Sequence, residues 1–341
     1  MSPARVTHWL WSDGAAARVA RVPLIPLAVL YRGAMQLRAT AYRRGWRRAG
    51  RLPLPAVAVG NLSVGGTGKT PLAAWIASYY AARGRTPGIL LRGYGADEPL
   101  VHRRLVPGAL VVAHPDRLAG ARRAREQGAR ILVLDDAFQL LSVARDLNVA
   151  VVSAESVTGS PWTLPAGPWR ERWDALERAD VVVVTRKRAA ADAADRLADW
   201  IAGQQAGTPV CVACLALSHV EGMHSGTRHD LAVLTGRSVL AAAGIADPES
   251  FAVQLRGAGA NVQLVAYQDH HPFGGDDLDR LVRAAAGAYV VVTEKDAVKL
   301  RGRWPGDAPE PLVAGLAVRW ERNGRAFERA LDDVLAAAER P

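Results

Sequence analysis

Short apolar runs alternate with amphipathic stretches along most of this chain. The apolar runs are rich in Val, Ile and Leu and predict strands, whereas the Ala-, Arg- and Leu-rich stretches between them predict helices. The predicted strands are 56–59, 88–91, 110–113, 130–134, 148–153, 180–185, 210–215, 238–243, 262–267, 289–293 and 312–318, and the predicted helices are 71–83, 116–127, 189–204, 248–257, 276–285 and 326–339. Continuously apolar strands separated by helices are typical of parallel sheets covered on both faces, so we expect an α/β fold.

This alternation is interrupted at two places. Residues 1–55 are basic and contain no predicted strand, and the stretch 218–229 is polar, contains Gly and His, and lacks periodicity. We therefore expect a core domain at 56–217, a linker at 218–229 and a second, smaller α/β domain at 230–341. A basic amphipathic helical segment precedes the core domain.

Residues 1–55 hold almost all of the excess positive charge. The chain has 341 residues and a formal net charge of +10, and this segment contributes +9 through ten arginines and one acid, Asp13. Its apolar run, 22–31, is shorter than the roughly 20 residues that a transmembrane helix needs, and two prolines and the lack of a cleavage site argue against a signal peptide. Basic residues beside apolar and aromatic ones favour a segment lying on an anionic membrane surface. The alternative is a basic helix packed on the protein body.

The charge distribution also bears on the partners. A nucleic-acid-binding protein usually spreads positive charge over one face of its body, and no DNA- or RNA-binding motif accompanies the basic segment. We therefore expect no nucleic acid among the partners. No feature of the sequence indicates a protein partner.

A glycine-rich loop connects the first predicted strand to the first predicted helix. Its sequence is Ser-Val-Gly-Gly-Thr-Gly-Lys-Thr, and the order of strand, loop, Lys-Thr and helix is the context of a phosphate-binding loop, or P-loop. Glycines allow successive backbone N–H groups to turn toward an anion, and the helix N-terminus adds partial positive charge. The residues predicted to bind a nucleoside triphosphate are Ser63, Val64, Gly65, Gly66, Thr67, Gly68, Lys69 and Thr70.

Two acids, Asp135 and Asp136, follow a second apolar run, 131–134. In P-loop proteins an acid at the end of a neighbouring strand holds Mg²⁺ or its water, while the P-loop hydroxyl ligates the same ion. We therefore predict a magnesium site made by Thr70 and by Asp135 or Asp136, which the spacing does not distinguish. The alternative is a pair of ordinary turn acids.

The order of these motifs resembles the tetraacyldisaccharide 4'-kinase family of Gram-negative bacteria. The most specific part is Val-Gly-Asn at 59–61 followed by Gly-Gly-Thr-Gly-Lys-Thr-Pro at 65–71, and the family carries Ser or Thr where this chain has Ser63. The resemblance continues at 52–55, 92–95, 97–99, 135–139, 145–147, 164–171, 243–245, 269–271 and 293–297.

Three features depart from the family pattern. The family usually has Gly where this chain has Ala137, and His where it has Leu140. The stretch between Gly95 and Asp97 is shortened. These departures concern loops and leave the order of the motifs intact.

The resemblance implies an ATP-dependent lipid kinase. Members transfer the γ-phosphate of ATP to the 4'-hydroxyl of a tetraacyl-glucosamine disaccharide 1-phosphate and so form lipid IVA. This substrate is anchored in the inner membrane with its sugar at the cytoplasmic face, so the resemblance implies a peripheral protein on that face. The family fold has two α/β domains with the nucleotide between them and a hydrophobic N-terminal element near the membrane.

The resemblance also assigns residues that the P-loop and the acid pair do not. Asp97 is implied as the base that receives the hydroxyl proton, and His270 of the second domain is expected to orient its carboxylate and raise its basicity. Lys69, already predicted from the P-loop, is expected to act on the transferring phosphate. Arg170 and Glu171 are expected to shape the acceptor or nucleotide side. The expected cofactors are ATP and Mg²⁺, and the expected substrate is the lipid-anchored disaccharide.

The main alternative is a membrane-associated P-loop ATPase or GTPase switch with no lipid acceptor. A switch needs no acceptor base such as Asp97 with His270, and the chain has no Asn-Lys-x-Asp motif for reading guanine. A nucleic-acid-dependent NTPase is a third interpretation. Acceptor chemistry distinguishes the kinase from both.

Overall fold

Eleven helices and twelve strands follow one another in the computed structural model, which describes residues 3–93, 95, 97–156, 160–205 and 207–339. Tyr94 of the 92–95 motif lies outside the described residues. So do residues 1–2 of the predicted N-terminal segment and residues 340–341 of the predicted second domain. All eleven predicted strands and all six predicted helices are confirmed. The strand predicted at 210–215 extends to Gly222 and the one at 312–318 extends to Arg322, and the other ends shift by no more than two residues.

The helices and strands of the first part of the chain have the following bounds. The N-terminal segment forms α1 (Pro3–Leu10), α2 (Ala15–Arg21) and α3 (Ile25–Arg43). The elements that follow are β1 (Ala56–Asn61), α4 (Lys69–Ala82), β2 (Pro87–Leu91), α5 (Asp97–Leu105), β3 (Leu110–Ala113), α6 (Arg117–Glu126), β4 (Ile131–Leu134), β5 (Leu147–Ser153), β6 (Val181–Arg186), α7 (Ala191–Gln204) and β7 (Val210–Gly222). We call residues 56–217 the first half.

The second half, residues 230–339, continues the same alternation after a two-residue strand, β8 (Arg228–His229). Its elements are β9 (Ser238–Ala243), α8 (Pro248–Gly257), β10 (Asn261–Ala266), α9 (Gly275–Ala285), β11 (Tyr289–Thr293), α10 (Glu294–Leu300), β12 (Leu312–Arg322) and α11 (Gly324–Glu339). The short helices α5 and α10 and the strand β8 were not predicted from the sequence.

All twelve strands belong to one sheet with the order β10-β9-β11-β12-β7-β6-β5-β1-β4-β2-β3, and β8 pairs with β7. Pairing is parallel within each half, and β7 and β12 join the halves through an antiparallel ribbon. In the first half, β1 lies between β4 and β5, so the chain order reverses beside β1. In open parallel sheets such a reversal leaves a crevice at the carboxyl ends of the strands, where ligands bind.

The predicted linker at 218–229 has regular structure. Residues 218–222 continue β7, which pairs with β12 along most of its length, and 228–229 form β8. The sequence did not reveal this strand because residues 218–222, Ser-His-Val-Glu-Gly, are mostly polar around the buried Val220, whereas the predicted strands are apolar over most of their length. The border between the two predicted domains thus runs along a shared strand, and the division into domains stays a prediction.

Helices cover both faces of the first half because successive strand residues point to opposite faces. From β1, Val57 and Val59 pack with α4 on one face, and Ala56 and Ala58 pack with α6 on the other. The last helix, α11, returns to the α4 face and inserts Phe327 there. The C-terminal helix therefore ties the second half to the core of the first.

The N-terminal helices rest on the loop between β5 and β6. Thr163 Oγ1 donates to the carbonyl of Ala28 at 2.9 Å, and Trp11 Nε1 donates to the carbonyl of Pro165 at 3.1 Å. Large apolar side chains of this N-terminal segment are exposed, namely Val6, Trp9, Val19, Val22, Leu27, Val29, Leu30, Leu37 and Trp46. Within the described residues, no helix combines the length and apolar character needed to cross a bilayer.

Candidate active site

The P-loop lies between the end of β1 and the first turn of α4. Gly65 and Gly68 adopt positive φ angles of 116° and 89°, which residues with a Cβ rarely adopt. A Cβ on Gly68 would also lie 2.2 Å from Leu215 Cδ1 of β7. The positive φ therefore favours glycine at position 68, where a larger residue would also have to displace the Leu215 side chain, and α4 starts directly at Lys69.

Side chains around the P-loop hold its backbone in place. Asn61 Nδ2 donates to Ser63 O at 2.6 Å and to Thr67 Oγ1 at 2.8 Å. Thr185 Oγ1 donates to Thr67 O at 2.7 Å, and Lys187 Nζ donates to Gly66 O at 2.6 Å. Sequence analysis missed Thr185 and Lys187 because their only signal is a position at the end of a predicted strand or just after it. The loop is thus pre-organised before any phosphate contact.

Lys69, Asp136 and Arg170 form one charged cluster at the mouth of this loop. Lys69 Nζ lies 3.3 Å from Asp136 Oδ1, and Arg170 Nη1 donates to the two carboxylate oxygens of Asp136 at 2.9 and 3.1 Å. Asp136 itself has a left-handed backbone with φ of 53°, which turns its side chain toward these cations. Two cations on one carboxylate leave positive charge available for a phosphate group.

Asp135 lies beside this cluster and is 3% exposed. Its Oδ2 accepts a hydrogen bond from Thr70 Oγ1 at 3.1 Å, and its Oδ1 accepts one from the backbone N–H of Asp136 at 2.8 Å. Burial raises the pKa of the Asp135 carboxyl, but His102, Lys69 and Thr70 together lower it below its usual range. Asp135 is therefore an ionised carboxylate held in one orientation next to the Thr70 hydroxyl, and its oxygens are of the type that ligates a cation.

These oxygen donors fit Mg²⁺ in chemical type. Carboxylate and hydroxyl oxygens are the hard ligands that Mg²⁺ prefers, and it usually takes one or two carboxylates and completes its shell with substrate phosphates and water. Across the described residues, no group of three or more His, Cys, Asp or Glu side chains is arranged to hold a metal ion. A site here would therefore depend on nucleotide phosphates for its remaining ligands.

Asp97 is the first residue of α5 and is a further acid of the candidate site, besides Asp135 and Asp136. Its Oδ2 is 3.1 Å from His270 Nδ1 and 3.2 Å from Lys299 Nζ, and both partners belong to the second half. Burial raises the pKa of the Asp97 carboxyl, but His270, Lys299 and Lys295 outweigh burial and hold the pKa below its usual value. The pKa direction is therefore opposite to the expectation that this pair raises the basicity of Asp97, because His270 itself, together with Lys299 and Lys295, which sequence analysis missed, favours the ionised carboxylate.

The contacts of His270 define its tautomer. Lys295 Nζ lies 2.9 Å from His270 Nε2, and an ammonium group can only donate, so Nε2 accepts. Nδ1 then carries the hydrogen and donates to Asp97. His270 has a left-handed backbone with φ of 62°, and its N–H donates to Gly244 O at 3.2 Å. The loop after β10 thus presents the imidazole to Asp97 in a fixed orientation.

Helix α5 connects the two acidic positions with the second half. Glu98 follows Asp97, and burial together with the charge of Asp135 raises its pKa. At the other end of α5, Arg104 Nε donates to Glu294 Oε2 of α10 at 2.6 Å, and the same guanidinium pairs with Glu221 of β7. Glu98 was not predicted as a site residue, although it stands next to Asp97 in the 97–99 motif.

Glu171 differs from its neighbour Arg170 in placement. It is 6% exposed, accepts from Arg178 Nη2 at 2.7 Å and accepts from Gln139 Nε2 at 3.1 Å. Gln139 also donates to Asn61 O, so Glu171 supports the P-loop through a second residue. Its part in binding acceptor or nucleotide stays a prediction, whereas Arg170 reaches the cleft directly.

Known proteins with the same features were found in three comparisons. The family model for tetraacyldisaccharide-1-P 4'-kinase matches residues 20–99 and 96–336. Proteins named tetraacyldisaccharide 4'-kinase are 37% identical in Anaeromyxobacter sp. (strain K), over 100% of this chain and 98% of that protein, and 39% identical in Alkalilimnicola ehrlichii, over 83% and 84%. The crystal structure of LpxK from Aquifex aeolicus in complex with ATP matches with a TM-score of 0.73 and 25% identity, over 92% of this chain and 99% of that one.

These matches cover the P-loop, the acid pair after β4, and the part of the second half that carries His270. The similarity therefore extends over the full architecture rather than over the nucleotide-binding half alone. The chain belongs to the tetraacyldisaccharide 4'-kinase family.

Proposed function

We propose that this protein transfers the γ-phosphate of ATP to the 4'-hydroxyl of tetraacyldisaccharide 1-phosphate, giving lipid IVA. The observation that carries the proposal is the position of Asp97, which is buried, ionised and bound to His270 of the opposite half. A P-loop alone is compatible with hydrolysis or switching. A buried, ionised carboxylate held by the opposite half supplies the proton acceptor that transfer to an alcohol uses.

ATP binding is assigned to the P-loop. Its N–H groups and the N-terminus of α4 attract the phosphates, and Lys69 exchanges its contact with Asp136 for one with the transferring phosphate. Arg170 remains on Asp136 and keeps that carboxylate from repelling the nucleotide. This part of the site positions phosphate groups and neutralises their charge, which is most of what phosphoryl transfer needs.

Mg²⁺ would be held by the Thr70 hydroxyl and the Asp135 carboxylate, with Asp136 beside them. When bound, such an ion neutralises phosphate charge. Asp135 and Thr70 are already within hydrogen-bond distance of each other, so they support one ion without a large rearrangement.

The acceptor side is assigned to Asp97. A sugar hydroxyl is a weak nucleophile at neutral pH, and the Asp97 carboxylate accepts its proton as the bond to phosphorus forms. The Nδ1–H of His270 holds the carboxylate in place, and Lys295 fixes that imidazole. The low pKa of Asp97 means that it is ionised throughout the neutral range, at the cost of being a weak base.

The N-terminal segment is proposed to hold the protein on the cytoplasmic face of the inner membrane, where the lipid-anchored substrate lies. Exposed apolar side chains such as Leu30, which is 70% exposed, share this segment with exposed arginines such as Arg32 and Arg43. Apolar burial and attraction to anionic lipid combine in such segments. The segment also contacts the 160–171 loop, so it places the membrane near Arg170.

A transfer assay tests the proposal. The protein is incubated with [γ-³²P]ATP, Mg²⁺ and tetraacyldisaccharide 1-phosphate in mixed micelles, and the lipids are separated by thin-layer chromatography. We expect a labelled lipid that requires the acceptor. Release of labelled inorganic phosphate at the same rate with and without acceptor, and no labelled lipid, would support a hydrolytic switch instead.

A further inference from the structure

We propose that His102 is a positioning residue that fixes the carboxylate of Asp135 for the metal–nucleotide complex. The inference rests on the proposed function, since it gives Asp135 the same task. His102 belongs to α5, at a distance of 33 positions from Asp135, and no motif in the sequence includes it.

The contact itself is short and buried. His102 is 0% exposed, and its Nε2 lies 2.9 Å from Asp135 Oδ2. Because the ionised carboxylate only accepts, Nε2 carries the hydrogen and donates. The same Oδ2 accepts from Thr70, and the backbone N–H of Asp136 binds Oδ1. Three donors from three elements thus fix both the plane and the rotation of the carboxylate.

The other ring nitrogen argues against a purely structural role. His102 Nδ1 is buried and has no hydrogen-bond partner within the described residues. A buried polar atom without a partner costs stability, and a leucine could fill a position on the buried side of α5 without that cost. The histidine is therefore explained by the one bond that it makes, which is the bond to Asp135.

The same contact joins the two chemical sides of the cleft. Asp97 begins α5, His102 follows in its second turn, and Arg104 ties the helix to Glu294 and Glu221. By binding Asp135, His102 fixes the helix that carries the base relative to the carboxylate beside the P-loop. Groups that orient a metal-binding carboxylate typically matter about 10–100-fold for metal affinity or activity.

The test measures metal binding separately from turnover. Mn²⁺ is titrated into the full-length protein with the non-hydrolysable ATP analogue AMP-PNP, and free Mn²⁺ is measured by electron paramagnetic resonance. We expect His102→Leu to weaken Mn²⁺ binding about tenfold, while the affinity for AMP-PNP in EDTA stays within about twofold of wild type. His102→Gln should retain Mn²⁺ affinity within about threefold, because its amide nitrogen can take the place of Nε2.

Two further variants separate the hydrogen bond from packing. His102→Asn carries the same amide one methylene shorter, so it cannot reach Asp135 and should lose Mn²⁺ affinity as His102→Leu does. Tyr79→Phe is the matched control, because it removes a 2.9 Å bond to the carboxylate of Asp332 near the other end of α4. It should leave Mn²⁺ affinity unchanged.

Unchanged Mn²⁺ affinity in His102→Leu would overturn the proposal. If that variant does not fold, equal affinities of His102→Gln and His102→Asn would overturn it, since only one of these amides can replace Nε2. Failure of the proposed function gives a different result, because wild-type protein would then bind Mn²⁺ with AMP-PNP but label no lipid.

Discussion

The two sides of the cleft are built in different ways. On the phosphate side, Asp135 and Asp136 are held by Lys69, Thr70 and Arg170, all from the first half, and by His102 of the same half. On the acceptor side, Asp97 comes from the first half, but its partners His270 and Lys299 come from the second. One side is complete within a single half, and the other exists only where the halves meet.

This difference separates nucleotide binding from transfer to the acceptor. A phosphate side that is complete within one half is what any P-loop protein needs, so it indicates nucleotide binding and little more. The acceptor side depends on residues that are 173 positions apart in sequence. With Asp97 as the proposed acceptor base, transfer to an alcohol needs both halves, and changes on the two sides should have different kinetic effects.

The largest expected effect comes from breaking the phosphate side. On the proposed assignment, Lys69 contacts phosphate both before and during transfer, so Lys69→Ala should weaken ATP binding and also lower kcat, with kcat/KM falling by at least about 10³-fold. Calorimetry gives the ATP affinity, and the lipid-labelling assay gives the rate. A variant with normal ATP affinity would show that Lys69 does not contact the nucleotide in the ground state.

A smaller effect is expected from His270, because it acts through Asp97. His270→Ala should lower kcat by about 10–10²-fold and leave the ATP affinity near wild type. Combined with Asp97→Asn, the loss should be clearly less than the product of the single losses, since residues that act as one unit are not additive. Full additivity in log kcat would mean that His270 acts independently of Asp97.

Changes in the N-terminal segment should alter membrane binding and not the contacts of the phosphate side or the acceptor side. Replacing the exposed Leu27, Leu30 and Leu37 by Ser should lower binding to anionic vesicles about tenfold, because the apolar part of the attraction is lost. Added salt should weaken wild-type binding without abolishing it, since screening acts on the arginines alone.

Its control removes exposed apolar side chains elsewhere. Val253→Ser on α8 and Leu316→Ser on β12 change comparable exposed positions outside the segment. They should sediment with vesicles as wild type does. Equal binding by the N-terminal variant and this control would mean that the segment is a basic helix packed on the protein body.

The smallest expected effect is a shift in pH dependence. Lys299 and His270 lower the pKa of Asp97, and protonated Asp97 cannot accept a proton, so activity should fall as the pH drops through that pKa. Lys299→Met removes a positive neighbour and should therefore move the acid limb of kcat/KM to higher pH. Arg301→Met removes the same charge from an exposed position nearby and should leave the limb in place. A shift to lower pH would contradict this assignment.

Most of the fold could be predicted because buried parallel strands are continuous apolar runs. The helices α5 and α10 were missed for the opposite reason. They are short and polar, and α5 gains its stability from tertiary contacts such as Arg104 with Glu294, which local sequence does not show. The ribbon at 218–222 was missed because Val220 is its only large apolar residue.

The site shows the same limit. Positions with a local signal, such as Gly68 in its loop or Asp135 after its strand, could be predicted from the sequence. Residues whose role depends on a distant partner could not, and His102, Lys299 and Lys187 all belong to this group. The pKa of Asp97 also shifts opposite to the expected direction, because His270, Lys299 and Lys295 all favour its ionised form.

The central claim is that Asp97 serves transfer to the acceptor and not nucleotide binding. The most direct test is to measure ATP affinity and lipid phosphorylation on the same preparation of Asp97→Asn, a substitution of nearly equal size. We predict an ATP Kd within about threefold of wild type and a kcat lower by about 10²–10⁴-fold. A near-normal kcat, or a loss of ATP affinity that accounts for the loss of rate, would contradict the claim.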